Sequence, residues 1–204
     1  IRDRTYNADD VKEGNLLLFT AGENECDKAV VLTSDNIMSA IDYINAHCNC
    51  TEDDRVLAQI ELSKIFGLLY CLIWPLSCGA CICVGRGLRH IDADTYYYDA
   101  TILPANPSMA EYLKKIKGFN DSLKNIIIGG APCPYHLYEC LRDRDINVSS
   151  VYGTSESTGC IAINYDEDGS YEPFADNTLK LSDDGEILLS GGCVMKGYYK
   201  DEVQ

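Results

Sequence analysis

Val151-Tyr152-Gly153-Thr154-Ser155-Glu156-Ser157-Thr158-Gly159-Cys160 is the stretch around which the chain is read. The segment from Asn147 to Val151 predicts a strand. It ends in a glycine turn dense in hydroxyls that carries one carboxylate, Glu156. An aromatic ring, a close-approach glycine, hydroxyls and an acid in so short a span suit a nucleotide and its metal. Tyr152 can stack on a base, Gly153 can let backbone approach a ligand, and Glu156 can hold a hard cation through oxygen. The same composition also describes a plain Gly/Ser/Thr surface turn. The rest of the sequence has to separate the two.

Upstream, strand-length and helix-length patterns alternate. Leu16 to Thr20 predicts a strand, residues 21–28 a polar loop, and Ala29 to Leu32 a second apolar run. Thr33 or Ser34 can cap a helix whose Ile37, Ala40, Ile41 and Ile44 fall at helical spacing. Val56 to Leu62 predicts a strand, Phe66 to Leu76 a buried helix, and Ala80 to Val84 a strand; Asp92 to Asp99, with three consecutive tyrosines, is assigned to neither. Ala100 to Pro104 predicts a strand, and Pro107 to Lys117 an amphipathic helix with proline at its first position. Leu123 to Ile128 predicts a strand closed by Gly129-Gly130-Ala131-Pro132, followed by a helix over Tyr135 to Arg144. Such alternation predicts an α/β fold, a mostly parallel sheet flanked by helices. After Gly159 the helices stop: Ile161–Asn164, Thr178–Leu181 and Glu186–Leu189 read as strands joined by Asp/Gly turns, a C-terminal antiparallel β appendage. The expected organisation is an α/β core segment over 1–159 and a β-rich appendage of the same domain over 160–204. In an open α/β sheet, ligands collect beyond the carboxyl ends of the strands, which is where loops 20–28, 129–132 and 152–159 should meet.

Composition narrows the partners. A net charge of −15 on 204 residues argues against nucleic acid or an anionic membrane surface. Eleven cysteines follow no secreted-domain framework, and several sit in apolar runs; they predict reduced, packed thiols and a cytoplasmic setting, as does the charged opening Ile1-Arg2-Asp3-Arg4. Cys48-x-Cys50 and Cys78-x-x-Cys81-x-Cys83 have no second pair or histidine at zinc-site spacing, so they read as structural. The apolar run Ile65–Val84 is interrupted by Pro75, Ser77 and Gly79, which predicts a helix and a strand rather than a transmembrane segment.

Taken together, the loops resemble those of the adenylate-forming superfamily, which includes acyl-CoA synthetases, luciferases and peptide-synthetase adenylation domains. Leu18-Phe19-Thr20-Ala21-Gly22, with Lys28 beyond, resembles the phosphate-loop motif L-F-T-S-G-T-T-G-x-P-K-G. Ile60-Glu61-Leu62-Ser63-Lys64-Ile65-Phe66-Gly67 resembles L-P-L-F-H-x-x-G; Gly129 to Pro132 resembles the adenine loop; Tyr152 to Glu156 resembles Y-G-x-T-E. Gly185-Glu186-Ile187 with Gly197-Tyr198-Tyr199 resembles the G-E-I…G-Y segment that follows. The resemblance implies that Tyr152 stacks on adenine with Gly130, Ala131 and Pro132 on the other side, and that Gly153, Thr154 and Ser155 contact the phosphate region. It implies that Glu156 holds Mg2+ and that Thr20, Gly22 and Lys28 belong to the loop gripping ATP. Lys64 stands where an acyl-pocket histidine is usual. The implied chemistry is ATP-dependent activation of a small-molecule carboxylic acid to an acyl-adenylate, then transfer to the thiol of CoA. Gly-Gly-Ala-Pro followed by Cys133-Pro134 looks closer to acyl-CoA or aryl-CoA ligases than to amino-acid adenylation domains, and the overall resemblance to long-chain fatty-acid-CoA ligases implies a place in fatty acid metabolism.

Several positions depart from the pattern. Glu23, Glu25 and Asp27 load residues 20–28 with three acids against one lysine. Unit charges about 4 Å apart interact by roughly 4 kcal/mol at an effective dielectric near 20, so this loop predicts weak ATP binding. Lys64 and Glu61 read most simply as a solvated ion pair. The segment carrying the family's ribose-binding aspartate and its catalytic lysine lies beyond Gln204, so no complete catalytic set is expected here and the chain alone is predicted inactive. A pseudo-synthetase that keeps the fold as a binding module is the competing expectation, and a piece of an amino-acid adenylation domain a third. An open sheet edge would favour self-association.

Overall fold

The computed structural model describes residues 14–20, 28–115, 120–165, 169–174 and 179–199. Leu16–Thr20 (β1) and Lys28–Leu32 (β2) pair antiparallel, with Thr20 opposite Lys28 as the last pair before residues 21–27. They do not join the parallel sheet that strand–helix alternation predicts from residue 16 onward; no helix separates them, so they close as a hairpin. Thr33 then caps α1 (Ser34–His47) through a reciprocal box with Asn36, and Ala40, Ile41 and Ile44 form its buried stripe.

The main sheet is built from β3 (Arg55–Ala58), β4 (Cys81–Val84), β5 (Ile102–Ala105), β6 (Asn125–Ile128) and β7 (Asn147–Tyr152), with β8 (Ala162–Asn164) and β9 (Glu172–Pro173) beyond. Its order is β4-β3-β5-β6-β7-β8-β9; the links from β4 to β7 are parallel and those beyond β7 antiparallel. Side chains alternate between two faces, as strand geometry requires. Val56, Ile102, Ile127 and Val151 meet α1 and the helix over residues 65–77. Leu57, Leu103, Ile126, Ile128 and Val148 meet the helices α4 to α6 described below. Both faces are covered, which is why these strands read as continuous apolar runs.

The helix over 65–77 starts as α2 (Ile65–Leu68), widens into a π-helical stretch at Leu69–Ile73, and resumes as α3 (Trp74–Ser77). Pro75 explains the irregularity: it lacks an N–H and its ring crowds the preceding turn, and a widened turn accommodates both. Trp74 is fully buried, and its indole N–H donates to Asn45 of α1 (2.8 Å), locking the two helices. No helix among the described residues is long and apolar enough to cross a membrane.

Two boundaries differ from expectation. β3 stops at Ala58 rather than Leu62, because Gly67 packs its backbone under Glu61: a Cβ there would fall 2.2 Å from the Glu61 carbonyl oxygen. The tyrosine stretch is helical, α4 (Ile91–Tyr98), ended by Asp99 in the left-handed conformation. The remaining helices are α5 (Pro107–Lys114), capped by the Asn106 side chain, and α6 (Tyr135–Arg142). Past β9, β10 (Leu179–Leu181) and β11 (Ile187–Leu189) make a separate hairpin. β12 (Gly197–Tyr198) returns to pair antiparallel with β2.

Ten cysteines are described and all are free thiols. Burial pushes Cys48 up to about 12 and Cys71 to about 11, so neither supplies a thiolate near neutrality. They pack as small apolar side chains.

Candidate functional site

Loops 129–132 and 152–159 follow the carboxyl ends of β6 and β7, and the end of the β1–β2 hairpin reaches the second of them through Tyr198. After β6, Gly129 lies directly on a ring: a Cβ there would sit 2.5 Å from Phe66 Cε2. Gly130 follows with φ +84° and nothing within 4 Å of its missing Cβ, so the loop opens outward, leaving Ala131 and Pro132 exposed.

After β7, Tyr152 is 44% exposed, its ring edge-on to Tyr171 at 6.4 Å between centroids. Behind it, the Ser150 hydroxyl bonds both Tyr171 (2.7 Å) and the buried Tyr138 hydroxyl. Gly153 is required by the turn itself: a Cβ would fall 2.2 Å from the backbone carbon of Gly159, closer than any side chain allows. Its glycine is thus accounted for by the fold without a ligand.

The turn's hydroxyls divide into two sets. Ser157 and Thr158 are fully buried; Ser157 Oγ accepts from Thr154 N (2.9 Å), and Thr158 Oγ1 donates to the Cys193 carbonyl (2.6 Å). These two are consumed by the turn. Thr154 is exposed but its Oγ1 takes part in the capping box with Ser157, 3.5 Å from the Ser157 hydroxyl, and Ser155 is half-buried. Glu156, on the single 3₁₀ turn Ser155–Ser157, has its backbone carbonyl held by Met195 N (2.8 Å). Its side-chain Oε1 accepts the Tyr198 hydroxyl at 2.9 Å, and no donor among the described residues reaches Oε2. A carboxylate oxygen left open at the surface is the donor type Mg2+ takes, alongside water and phosphate oxygens. Among the described residues no group of three or more acids, histidines or cysteines could hold a metal unaided. Glu156 could thus supply one oxygen to a cation whose other ligands come from water or a bound phosphate.

The third loop reaches the site through its ends. Thr20 and Lys28 close the β1–β2 hairpin, and the Lys28 ammonium lies 4.8 Å from the Tyr198 ring centroid. Gly22, with the acids Glu23, Glu25 and Asp27, falls outside the described residues. Lys64 is exposed at the N-cap of α2, one residue before Ile65, which lies against Gly159 of the turn. Glu61 and Lys64 close a turn through their backbones (Lys64 N to Glu61 O, 3.2 Å), but the side-chain ion pair read from the sequence is not formed; Glu61 instead faces the Ser63 hydroxyl at 3.5 Å.

Sequence reasoning quoted Tyr198 within a motif but gave it no role. Its position follows from segment 192–199, which straps β2, α1 and the 152–159 turn together. Asn36 of α1 donates to the Gly192 (2.7 Å) and Val194 (2.8 Å) carbonyls, Lys196 N to Val31 O (3.0 Å), and Tyr199 N to Ala29 O (2.7 Å). The available signal was the long-range return of an aromatic residue after glycine; its partner could not be read locally.

An open α/β sheet with its ligand-facing loops gathered at a carboxyl edge, one of them a glycine turn bearing a single acid, is the arrangement of nucleotide-handling enzymes. A model of the AMP-binding enzyme family matches residues 17–199, and the chain belongs to that family. It is 30% identical over 206 residues to a methyl-dioxo-octahydro-indenyl propanoyl:CoA ligase of Mycobacterium tuberculosis, covering 91% of this chain and 39% of that protein. It is 31% identical over 175 residues to an acyl-CoA synthetase, ALT10, of Alternaria alternata, covering 81% and 31% respectively. The chain thus spans under two-fifths of these relatives' lengths. Its fold matches o-succinylbenzoate CoA synthetase of Bacillus subtilis, solved with ATP and magnesium, with a TM-score of 0.80 at 23% identity, over 91% of this chain and 43% of that one.

Proposed function

We propose that this chain forms the nucleotide-binding part of a carboxylate-activating ligase of the acyl-CoA synthetase kind. The observation that carries the reading is the joining of three segments far apart in the chain: Lys28, Tyr198 and Glu156 are in contiguous contact, and Glu156 lies in the turn that begins at the exposed ring of Tyr152. In this reading Tyr152 stacks on the adenine, with Gly130, Ala131 and Pro132 lining the opposite side. Gly153 shapes the turn, Thr154 and Ser155 offer donors to phosphate oxygens, and Thr20, Gly22 and Lys28 face the leaving pyrophosphate. Glu156 Oε2 is the oxygen available to Mg2+, whose contribution is to neutralise phosphate charge. Lys64 borders the acyl side.

The reaction is attack of a substrate carboxylate oxygen on the α-phosphorus, with a new P–O bond and loss of pyrophosphate; the acyl group then passes to the CoA thiol. Charge accumulates on phosphate oxygens in the transition state, so donors fixed before reaction are what accelerate it. By that measure the Thr154–Ser155 turn is well prepared, because its shape is set by buried Ser157 and Thr158 rather than by the ligand. Loop 20–28, with its three acids, is poorly prepared for triphosphate.

Calorimetry on the protein carrying this chain tests the reading. AMP is expected to bind, Tyr152→Ala to weaken it at least about tenfold through lost stacking, and MgATP to bind no more tightly than AMP. Absence of AMP binding by the unsubstituted protein would refute the proposal. Low-micromolar MgATP affinity would refute the part concerning the acidic loop.

A further inference from the structure

We propose that Tyr198 is a positioning residue that couples the two halves of this site, aiming Glu156 through its hydroxyl and holding Lys28 on its ring face. The inference rests on the nucleotide-site reading above and adds to it a residue that no motif comparison assigns.

The geometry is specific. Tyr198 on β12 pairs with Val30 of β2, two residues from Lys28. Its hydroxyl stands 2.9 Å from Glu156 Oε1, and the Lys28 ammonium stands 4.8 Å from its ring centroid. One side chain thus touches both the only carboxylate of the turn and the only described cation of the phosphate hairpin. The hydroxyl donates to a carboxylate, a charge-assisted bond stronger than one between neutral groups. It engages Oε1 and leaves Oε2 open. Carboxylates that ligate metals are commonly held in this way by an outer hydrogen bond.

The ring does a second thing. Lys28 and Glu156 carry opposite charges and contact different parts of one phenol, its ring face and its hydroxyl. With each group held on its own part of Tyr198, neither has to turn to the other for a direct ion pair, which would satisfy both and leave neither for ligand. A tyrosine serves both purposes, because its face attracts the ammonium while its edge hydroxyl serves the acid. The strap makes this arrangement rigid. Met195 N holds the Glu156 carbonyl at 2.8 Å, and Tyr199 N holds Ala29 O at 2.7 Å, so the backbones on both sides of Tyr198 are tied to the two elements it bridges.

Mn2+ titration in the presence of AMP tests the proposal, with metal-free AMP binding measured in parallel. Tyr198→Phe keeps the ring and loses the hydroxyl; it is expected to weaken Mn2+ about tenfold while metal-free AMP affinity stays unchanged. In a Glu156→Gln background the same substitution should have no further effect on Mn2+. Tyr198→Leu, which also removes the ring face, should in addition weaken inorganic pyrophosphate. Unchanged Mn2+ affinity in Tyr198→Phe would overturn the inference, and so would an equal loss in the Glu156→Gln background. Should Tyr198→Phe fail to fold, the unsubstituted protein with isotope-labelled tyrosine rings decides. Mn2+ with AMP must then broaden Tyr198 before Tyr112 on α5, and equal broadening overturns the proposal. If the unsubstituted protein binds neither AMP nor Mn2+, the nucleotide-site reading itself falls; AMP binding with normal Mn2+ affinity in Tyr198→Phe removes only the role of Tyr198.

Discussion

Asp94 and Glu156 both lie on the carboxyl side of the sheet, and their surroundings differ in kind. Asp94, on α4, is fully buried and takes hydrogen bonds from Arg86 N (2.8 Å), Arg86 Nε (2.7 Å) and Gln59 Nε2 (3.1 Å), with Arg86 Nη2 at 2.6 Å. Glu156 is half-buried and takes one side-chain donor. An acid ringed by donors is occupied in holding the chain together; an acid with one donor still has oxygen to offer. The Asp94 node ties the loops after β3 and β4 to α4. Gln59 belongs to the same knot, donating to Asp94 and accepting from Gly87 N at 3.0 Å. This contrast, not acidity alone, is the ground on which Glu156 rather than Asp94 is proposed for nucleotide chemistry.

The sharpest way to break the contrast is Asp94→Ala. Asp94 is buried while the Arg86 side chain is more than half exposed, so its loss leaves the Arg86 N–H and Gln59 amide without their acceptor, and a cost of about 2 kcal/mol is expected in urea denaturation. AMP affinity per folded molecule should not change. The pH dependence follows from the same contacts. Burial alone would raise the Asp94 pKa, but the Arg86 backbone and guanidinium bonds outweigh it, and the carboxyl lies below its ordinary value. Its folded pKa is therefore depressed, so its contribution is fully present above about pH 4 and is lost as pH falls through the lower folded value. Asp94→Asn should flatten that acid limb; an unchanged limb would assign acid sensitivity elsewhere.

Gly153→Ala comes next. The added methyl would meet the Gly159 backbone, which cannot move without opening the Thr154–Gly159 hydrogen bond of 2.8 Å. Overpacking of this kind costs about 2 kcal/mol. Because Tyr152 and Glu156 flank the turn, AMP binding should fall as well, the opposite of the Asp94 outcome. A stable Gly153→Ala protein with normal AMP binding would show that the turn's shape is not what the site depends on.

The two acids also mark what sequence can and cannot show. The parallel strands and α1, α5 and α6 follow from apolar period, caps and proline, since local pattern and buried face agree. The α4 helix did not, because its inward positions Ile91, Asp94, Thr95 and Tyr98 are spaced as helix but two of them are polar. A buried acid satisfied by Arg86 and Gln59 removes the apolar signal on which the helical period depends. The end of β3 was misplaced for a related reason: Ile60 and Leu62 continue an alternating pattern, while the chain turns because Gly67 occupies the space beneath Glu61. In the site, the residue types of the 152–159 turn were legible. The consumption of Ser157 and Thr158 by the turn was not, nor was Tyr198, because both depend on segment 192–199, far along the chain.

Glu156→Gln should sharpen the contrast from the other side. A half-buried carboxylate with one side-chain donor, kept by the amide, contributes little to folding, and a stability change within about 1 kcal/mol is expected. The amide oxygen still accepts from Tyr198, but it offers a cation no charge. Loss of Mn2+-dependent AMP affinity with little change in melting temperature is the expected result. A large loss of stability would place Glu156 with Asp94, among the acids that hold the fold.

The smallest effect on the fold is expected from the acids of the phosphate loop, and here the contrast turns on charge rather than contacts. Replacing Glu23, Glu25 and Asp27 with Thr, Gly and Pro removes three negative charges from the segment proposed to meet the triphosphate and leaves Lys28, already held on the Tyr198 ring. Charge substitutions of this kind commonly move stability by no more than about 0.5 kcal/mol, so the melting temperature should move by no more than about a degree or two. The gain should appear in MgATP affinity, and more for ATP than for AMP, because the extra phosphates carry the charge the acids repel. It should shrink with added salt, since charges beyond about 10 Å are screened at 0.1 M. Equal gains for AMP and MgATP, or a gain indifferent to salt, would show that the loop limits binding through its shape instead.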